Sequence, residues 1–369
     1  MQKNIDDATA TATVDENAPK KKRIYKKRTP KQPEQNVIVK TPPPLQKMPS
    51  PPPPPQEPTY LKEHNTHSRD ANITFEEVCH KYTVNGEHDY TSCTTFIHSL
   101  FPHFDASAII TKMRNGKNWT PANKYYEMTD DEIKKMWDDN GKEASASGTK
   151  MHYDIECYFN KQEIINDSIE YQYFQNFVNE IVVPRNYEAY RTEWLVYYEE
   201  VKISGSIDMV FKKINGDPTQ PQKYAIYDWK RSKEIVFDNY YEKANQNTPP
   251  KIRIMPNSNF WHYSLQLNIY RKILQEKYRL IVDELCLVCL HPNNKNGTYI
   301  LVEVQLLDDA VEQLFEWRKN NLGGTATPHE HTDEPAANIK QKLPPSPPPP
   351  TKKQAVCNVI MDTNDFNNK

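Results

Sequence analysis

Residues 203–230 read ISGSIDMVFKKINGDPTQPQKYAIYDWK. ISGSIDMVFKK and KYAIYDWK each have the pattern of a strand. YRTEWLVYY at 190–198 precedes them, so three strands follow one another. In the middle strand, alternation is expected to set Ile207 and Met209 on the face opposite Asp208. In the next, Asp228 and Lys230 are two residues apart and project from one face. If the two strands are neighbours, two carboxylates and an amine converge. Such hard anionic oxygens favour Mg2+ or Mn2+. A lysine beside them orients or activates water, or offsets charge on a phosphorane-like transition state.

On the N-terminal side, GTKMHYDIECYF at 148–159 reads as a helix entered after the small-residue run ASASG. Its His152 and Glu156 are four apart and share a helical face, about 5–6 Å apart at Cβ. Further upstream, HKYTVNGEHDY at 80–90 reads as a hairpin, because Asn85-Gly86 suits a type I′ turn. Thr129-x-x-Glu132 has the form of a capping box opening another helix. On the C-terminal side a helix is expected over about 259–277. Strands in DELCLVCLHP and TYILVEVQL follow, then a last helix, DDAVEQLFEWRKN. The order helix, three strands, helix, strand, strand, helix predicts an α/β fold with a mixed central sheet covered by helices.

Composition sets the limits of this unit. Of the 30 prolines, 13 lie in residues 1–69 and 8 in 322–369, whereas all six tryptophans and 20 of 22 tyrosines lie in 70–321. A globular domain at 70–321 between two disordered tails is therefore expected. The first tail carries a net +6 and the core −8, so phosphate affinity must come from a local site or from the tail. Eight basic residues within 20–31 are a nuclear import signal, a non-specific phosphate clamp or a solvated tail. The proline runs at 42–44, 51–55 and 344–350 form polyproline II spacers or ligands for an SH3- or WW-type domain. No segment has the roughly 18 apolar residues needed to span a bilayer, and a soluble intracellular protein is expected. The sequons at Asn72, Asn118, Asn166 and Asn296 then carry no meaning. The six cysteines are irregularly spaced and read as reduced thiols. No GxxxxGK[ST] motif is present to drive an ATP-dependent motor.

Taken singly, each element has an ordinary structural reading. His152 and Glu156 fit a solvated helix face, and Asp208 and Asp228 fit hairpin ends. The ordered set is more specific: GTKMHYDIE, GSID, DWK and then Gln266-x-x-x-Tyr270, with 56 residues from His152 to Asp208, 20 from Asp208 to Asp228 and 36 from Lys230 to Gln266. Over about 148–305 this series resembles the PD-(D/E)XK nuclease superfamily. The branch it looks like holds RecB-type nuclease domains, lambda-type exonucleases and related nucleases of large DNA viruses. The resemblance implies a restriction-endonuclease-like core and Mg2+- or Mn2+-dependent DNA cleavage by an exonuclease acting on free ends. Roles in recombination, repair or replication are those of the family.

Carried over by residue, the resemblance makes His152 a metal ligand, with Glu156 supporting the ion or its water. Asp208 and Asp228 become further ligands, joined by the Trp229 carbonyl, and Lys230 positions the attacking water. Gln266 and Tyr270 would contact the substrate near the scissile phosphate. Glu193, in the preceding strand, is either a supporting carboxylate or a solvated edge charge. His262 either lines the cleft or packs. Lys212, Lys213, Arg231 and Lys233 are either a local phosphate-binding patch or exposed strand-end charges. Some relatives hold an iron–sulfur cluster on four cysteines; here Cys286 and Cys289 are the only close pair and read as buried strand residues, so no cluster is expected. No helicase is fused, which points to a nuclease that stands alone or borrows a motor. Two other classes stay open: a nucleic-acid-binding module without activity, and an interaction scaffold working through the proline-rich tails, with importin or SH3/WW-type partners.

Overall fold

The computed structural model describes residues 57–322, apart from 78, 215 and 216. The basic segment 20–31 and the proline runs lie outside the described residues. The elements in chain order are α1 (Tyr60–His64), a 3-10 turn (Ser68–Asn72), β1 (Ile73–Glu76), β2 (Lys81–Val84), β3 (Thr91–Ser92), α2 (Cys93–Ser99), α3 (Ala106–Arg114) and α4 (Asp130–Phe159). Then come α5 (Ile169–Phe177), a π-helical turn (Val178–Val182), β4 (Tyr187–Tyr198), a second 3-10 turn (Glu199–Val201), β5 (Ile203–Lys213), β6 (Lys223–Lys230), α6 (Pro250–Arg253), α7 (Asn259–Lys277), β7 (Ile281–Cys289), β8 (Ile300–Glu303) and α8 (Asp308–Asn321). No helix among the described residues is long and apolar enough to cross a membrane.

The fold is α/β, with a mixed six-stranded sheet flanked by helices. The strands run β3-β5-β6-β7-β8, and β4 pairs with the other edge of β5. β4, β5 and β6 are successively antiparallel, β7 lies parallel to β6, and β8 is antiparallel to β7. The parallel step from β6 to β7 is made through α7, as a crossover requires. Alternation sorts the strand residues into two cores. Tyr224 and Ile226 of β6 join Leu285 and Leu287 of β7 under α2, α7 and α8. Ala225, Tyr227 and Trp229 join Cys286 and Val288 under α4 and α5.

The opposite edges of β5 are occupied unequally. β4 follows it from Ile203 to Lys213. On the other side β3 pairs only with Ile203 and Ser204, and β6 only with Met209 to Lys212. Residues 205–208 therefore face a fork between β3 and β6. Gly205 is required there, because a Cβ at that position would lie 2.5 Å from the Tyr270 hydroxyl of α7.

Three boundaries differ from the sequence reading. The helix expected to begin at 148 is the last part of α4, which runs unbroken from the Thr129 cap through ASASG. The Thr129–Glu132 capping box forms as expected, with Thr129 N donating to Glu132 Oε2 at 2.7 Å. Ala is a strong helix former, and an exposed Gly costs only about 1 kcal/mol against it, too little to end a helix anchored at both ends. Its first part packs Ile133 against Ile110 and Tyr125; its last part buries Met151, Ile155 and Phe159 at every fourth position. The ordered fold also starts before residue 70, with Leu61 of α1 buried against α4 and α5. Asn85 and Gly86 do take positive φ, 51° and 81°, but the return arm of that turn is a single bridge from Val84 to Glu87. β2 instead forms its ladder with β1.

Candidate active site

The β5–β6 ladder ends at Met209 and Tyr227, and one residue further the Asp208 carboxylate takes over. Its Oδ2 accepts the backbone N–H of Trp229 at 2.9 Å. At the same place the alternation expected around Asp208 breaks. Ile207 belongs to the core under α7, whereas Met209 and Phe211 belong to the core under α4. Ile207 and Met209 therefore do not share a face, contrary to the sequence reading.

Across β5, Thr192 pairs with Met209 and Trp194 with Ile207, so Glu193 stands opposite Asp208. Glu193 has φ of 41°, a left-handed conformation that costs a non-glycine residue of order 1–3 kcal/mol. Its Oε2 accepts from Ser206 Oγ at 2.9 Å, and its Oε1 lies 3.5 Å from His152 Nδ1. The same His152 nitrogen is 3.6 Å from Asp208 Oδ2. The other ring nitrogen, Nε2, is 3.0 Å from the Trp229 carbonyl oxygen. A carbonyl only accepts, so Nε2 carries a proton and Nδ1 is the atom turned toward the carboxylates. The Trp229 carbonyl thus orients the imidazole, the service that backbone carbonyls give to metal-binding histidines.

Asp228 and Lys230 lie on the α7 side of β6, as their spacing requires. Lys230 Nζ is 2.5 Å from Asp228 Oδ2 and 4.5 Å from the centre of the Tyr263 ring. Asp228 is 2% exposed, and this ion pair offsets the charge buried with it. Tyr263 is absent from the residues the sequence singles out; it is three residues before Gln266 on α7, a spacing that puts the two on one helical face. Ser206 is also absent from them, although it lies two residues from Asp208 on the same strand.

Electrostatics bind these groups together. Burial and the charge of Asp228 push the Asp208 carboxyl up to about 7 against the pull of His152. Burial opposes charge on His152, but Asp208 and Glu193 outweigh it and hold the ring up to about 9. Burial likewise opposes charge on Glu193, yet its bond to His152 and the Ser206 hydroxyl keep that carboxyl below its usual range. Lys230 is raised: burial lowers it, and Asp228 and Asp208 more than compensate.

His152, Glu193 and Asp208 each offer one ligand atom, all within 4.8 Å of one another. Glu193 is therefore inside the cluster, where the sequence suggests a supporting or solvated role. Glu156 is outside it, one helical turn along α4, and is raised to about 8 by burial and by repulsion from Glu193 and Glu57. The donor set fits a divalent cation. Three side-chain donors converge, a carboxyl is raised by its neighbours, and the buried Asp228 carboxylate, paired with Lys230, stands nearby.

The remaining candidates separate. Gln266 is half-buried, donating to Thr94 Oγ1 at 3.4 Å and to the Tyr270 hydroxyl at 3.3 Å. Tyr270 is 2% exposed and packs in the core over Gly205, so it supports Gln266 and is not presented to a substrate. His262 packs: its Nε2 is 3.0 Å from Asn257 Oδ1, its ring lies against Phe101, and burial together with His98 lowers it to about 4. Lys212 and Lys213 lie four and five residues beyond Asp208, roughly 13–17 Å away along the strand. Lys212 pairs with Glu188, and Lys213 with Asp283 and Glu284. Arg231 is committed to Glu170 at 2.8 Å, which leaves Lys233 as the exposed member of the expected patch. Cys286 and Cys289 are buried strand residues. No protein-family model and no curated protein sequence matches the chain.

Proposed function

We propose that this protein is a divalent-metal-dependent deoxyribonuclease of the PD-(D/E)XK superfamily, with a restriction-endonuclease-like core, acting as an exonuclease on free ends. The observation that carries the reading is the convergence, at one fork of the sheet, of His152, Glu193 and Asp208 with the Asp228–Lys230 pair. The element order also supports it: a helix, an antiparallel trio β4-β5-β6, a crossover helix and a parallel β7. GTKMHYDIE lies in α4, GSID in β5, DWK in β6 and Gln266 in α7.

His152, Glu193 and Asp208 would hold Mg2+ or Mn2+, with Asp228 on the adjoining strand. Such an ion supplies Lewis-acid stabilisation of phosphate charge and lowers the pKa of water. Lys230 keeps its ammonium charged beside Asp228 and presents it where negative charge develops on the phosphate. Trp229 fixes both Asp208 and the His152 ring through its backbone. Gln266 lines the cleft and faces the nucleotide, with Tyr270 as its buttress. The preference for ends rests on the resemblance carried by Gln266 and Tyr270. Recombination, repair or replication of DNA is the setting the resemblance suggests, with residues 20–31 providing nuclear import.

The test uses linear DNA labelled at either end and a covalently closed circle, with Mg2+ or Mn2+. Wild type is compared with Asp228→Ala and Lys230→Ala. End-dependent cleavage lost in both variants supports the proposal. Cleavage of the circle moves the assignment to endonuclease, and variants as active as wild type overturn the site. A chain of residues 57–322 that still cleaves rules out a scaffold acting through its tails.

A further inference from the structure

The β4 segment that delivers Glu193 is held on every side by side chains from elsewhere. Arg191 is 3% exposed; its Nη1 donates to Asp70 Oδ2 at 2.7 Å and to the Asn65 carbonyl at 3.0 Å. Thr192 Oγ1 accepts from Asn160, the residue that ends α4, at 2.9 Å. Trp194 is 1% exposed, and its Nε1 donates to Asp70 Oδ1 at 2.8 Å. Asp70 therefore grips the strand on both sides of the left-handed Glu193, one carboxylate oxygen for each side. Asp70 is itself fixed in the 3-10 turn, where its Oδ2 also accepts the His67 N–H at 3.1 Å. A non-glycine residue stays at φ of 41° only where its surroundings over-determine it, and this bridge fixes the residues on both sides of it.

We infer that Asp70 is a positioning residue for Glu193: by tying Arg191 to Trp194 it sets the backbone turn that carries the Glu193 carboxylate to His152 and Asp208. Its consequence for metal binding rests on the reading of that cluster as a metal site. The segment 57–69, which carries Asn65 and leads into Asp70, is then part of the functional domain, where the composition of the chain assigns it to a tail.

The experiment measures Mn2+ binding to the full chain by calorimetry, with folding followed by circular dichroism. Asp70→Asn keeps an oxygen for Trp194 and replaces the acceptor of Arg191 with a donor. It should weaken Mn2+ binding about 10- to 100-fold, the range for residues that orient ligands. In a Glu193→Gln background the same change should add less than about 2-fold, because its effect runs through Glu193. Equal losses in both backgrounds overturn the inference. Trp194→Phe removes only the neutral arm of the bridge; it is the milder variant and should weaken binding in the same direction.

A metal-free comparison keeps the two readings apart. In EDTA, Glu193→Gly should unfold at a higher temperature than Glu193→Ala, since glycine accepts positive φ without strain. That difference should vanish once Asp70→Asn is added. A difference that is absent in the wild-type background, or survives Asp70→Asn, overturns the positioning role. Wild type that fails to bind Mn2+ overturns the metal site, while the Gly/Ala comparison still decides whether Asp70 shapes the strand.

Discussion

The backbone N–H of Trp229 donates to the carboxylate of Asp208 at 2.9 Å. A side chain thus does the work of a strand carbonyl where β5 and β6 part. The Trp229 carbonyl meets His152 at 3.0 Å, and its indole is buried among Phe159, Phe174 and Phe177. One residue therefore couples the aromatic core under α4 to two groups of the cluster. The proposed metal site is built into the fold's own hydrogen bonding.

Asp208→Asn should separate stability from function. An asparagine side chain at this position can still accept the Trp229 N–H, and the substitution removes a carboxyl that burial and Asp228 disfavour when charged. Thermal unfolding in EDTA at pH 8 should stay unchanged or shift upward, while cleavage falls at least about 100-fold, beyond the loss typical of residues that only support ligands. A large drop in unfolding temperature would show that Asp208 is structural.

The gap in unfolding temperature between Mn2+ and EDTA should widen as pH rises from about 5 to 9. Asp208 and His152 are both raised above their ordinary values of 3.8 and 6.5, to about 7 and about 9. Each contributes stability that is full below its ordinary value and is lost as pH rises through its folded value. The metal-free protein therefore weakens across this window, while ligand deprotonation strengthens metal binding. Glu193, lowered by His152 and Ser206 against burial, acts in the opposite sense only at more acid pH. A gap that is flat or narrows with pH contradicts the ligand set.

β5, β6 and α7 were legible in the sequence because each is an apolar-rich run between turn residues, and these runs are the ones the layers bury. The bounds of β5, β6 and α7 match the expected segments. What was not legible depends on pairing across the chain. Glu193 enters the cluster because a local left-handed turn aims it there, and no spacing announces such a turn. Tyr270 sits at a motif position yet is buried, because Gly205 opens β5 to it. Residues 57–69 are poor in apolar side chains and look like tail, but Asn65 and Arg69 bond to β4 through polar atoms that composition does not weigh.

Lys230→Met should destabilise the metal-free domain by about 3–5 kcal/mol, since it leaves Asp228 buried with its charge uncompensated. Adding Asp228→Asn should recover most of that loss in denaturant unfolding, and neither protein should cleave DNA. Additive losses in the double variant would mean that the two residues do not act as a pair.

Gly205→Ala should damage the site from behind. The added methyl would meet the Tyr270 hydroxyl at 2.5 Å and its ring carbon at 2.7 Å, and β4 closes the other edge of β5, so the strand has little room to withdraw. Overpacking of this kind costs about 1–3 kcal/mol. Displacing Tyr270 also removes the hydroxyl that Gln266 holds at 3.3 Å. Cleavage should therefore fall by more than the stability loss explains when both are measured at a temperature where the variant is fully folded. Tyr270→Leu, which clears the space, should restore stability to Gly205→Ala without restoring cleavage. Recovery of both would show that Gln266 needs no support from Tyr270.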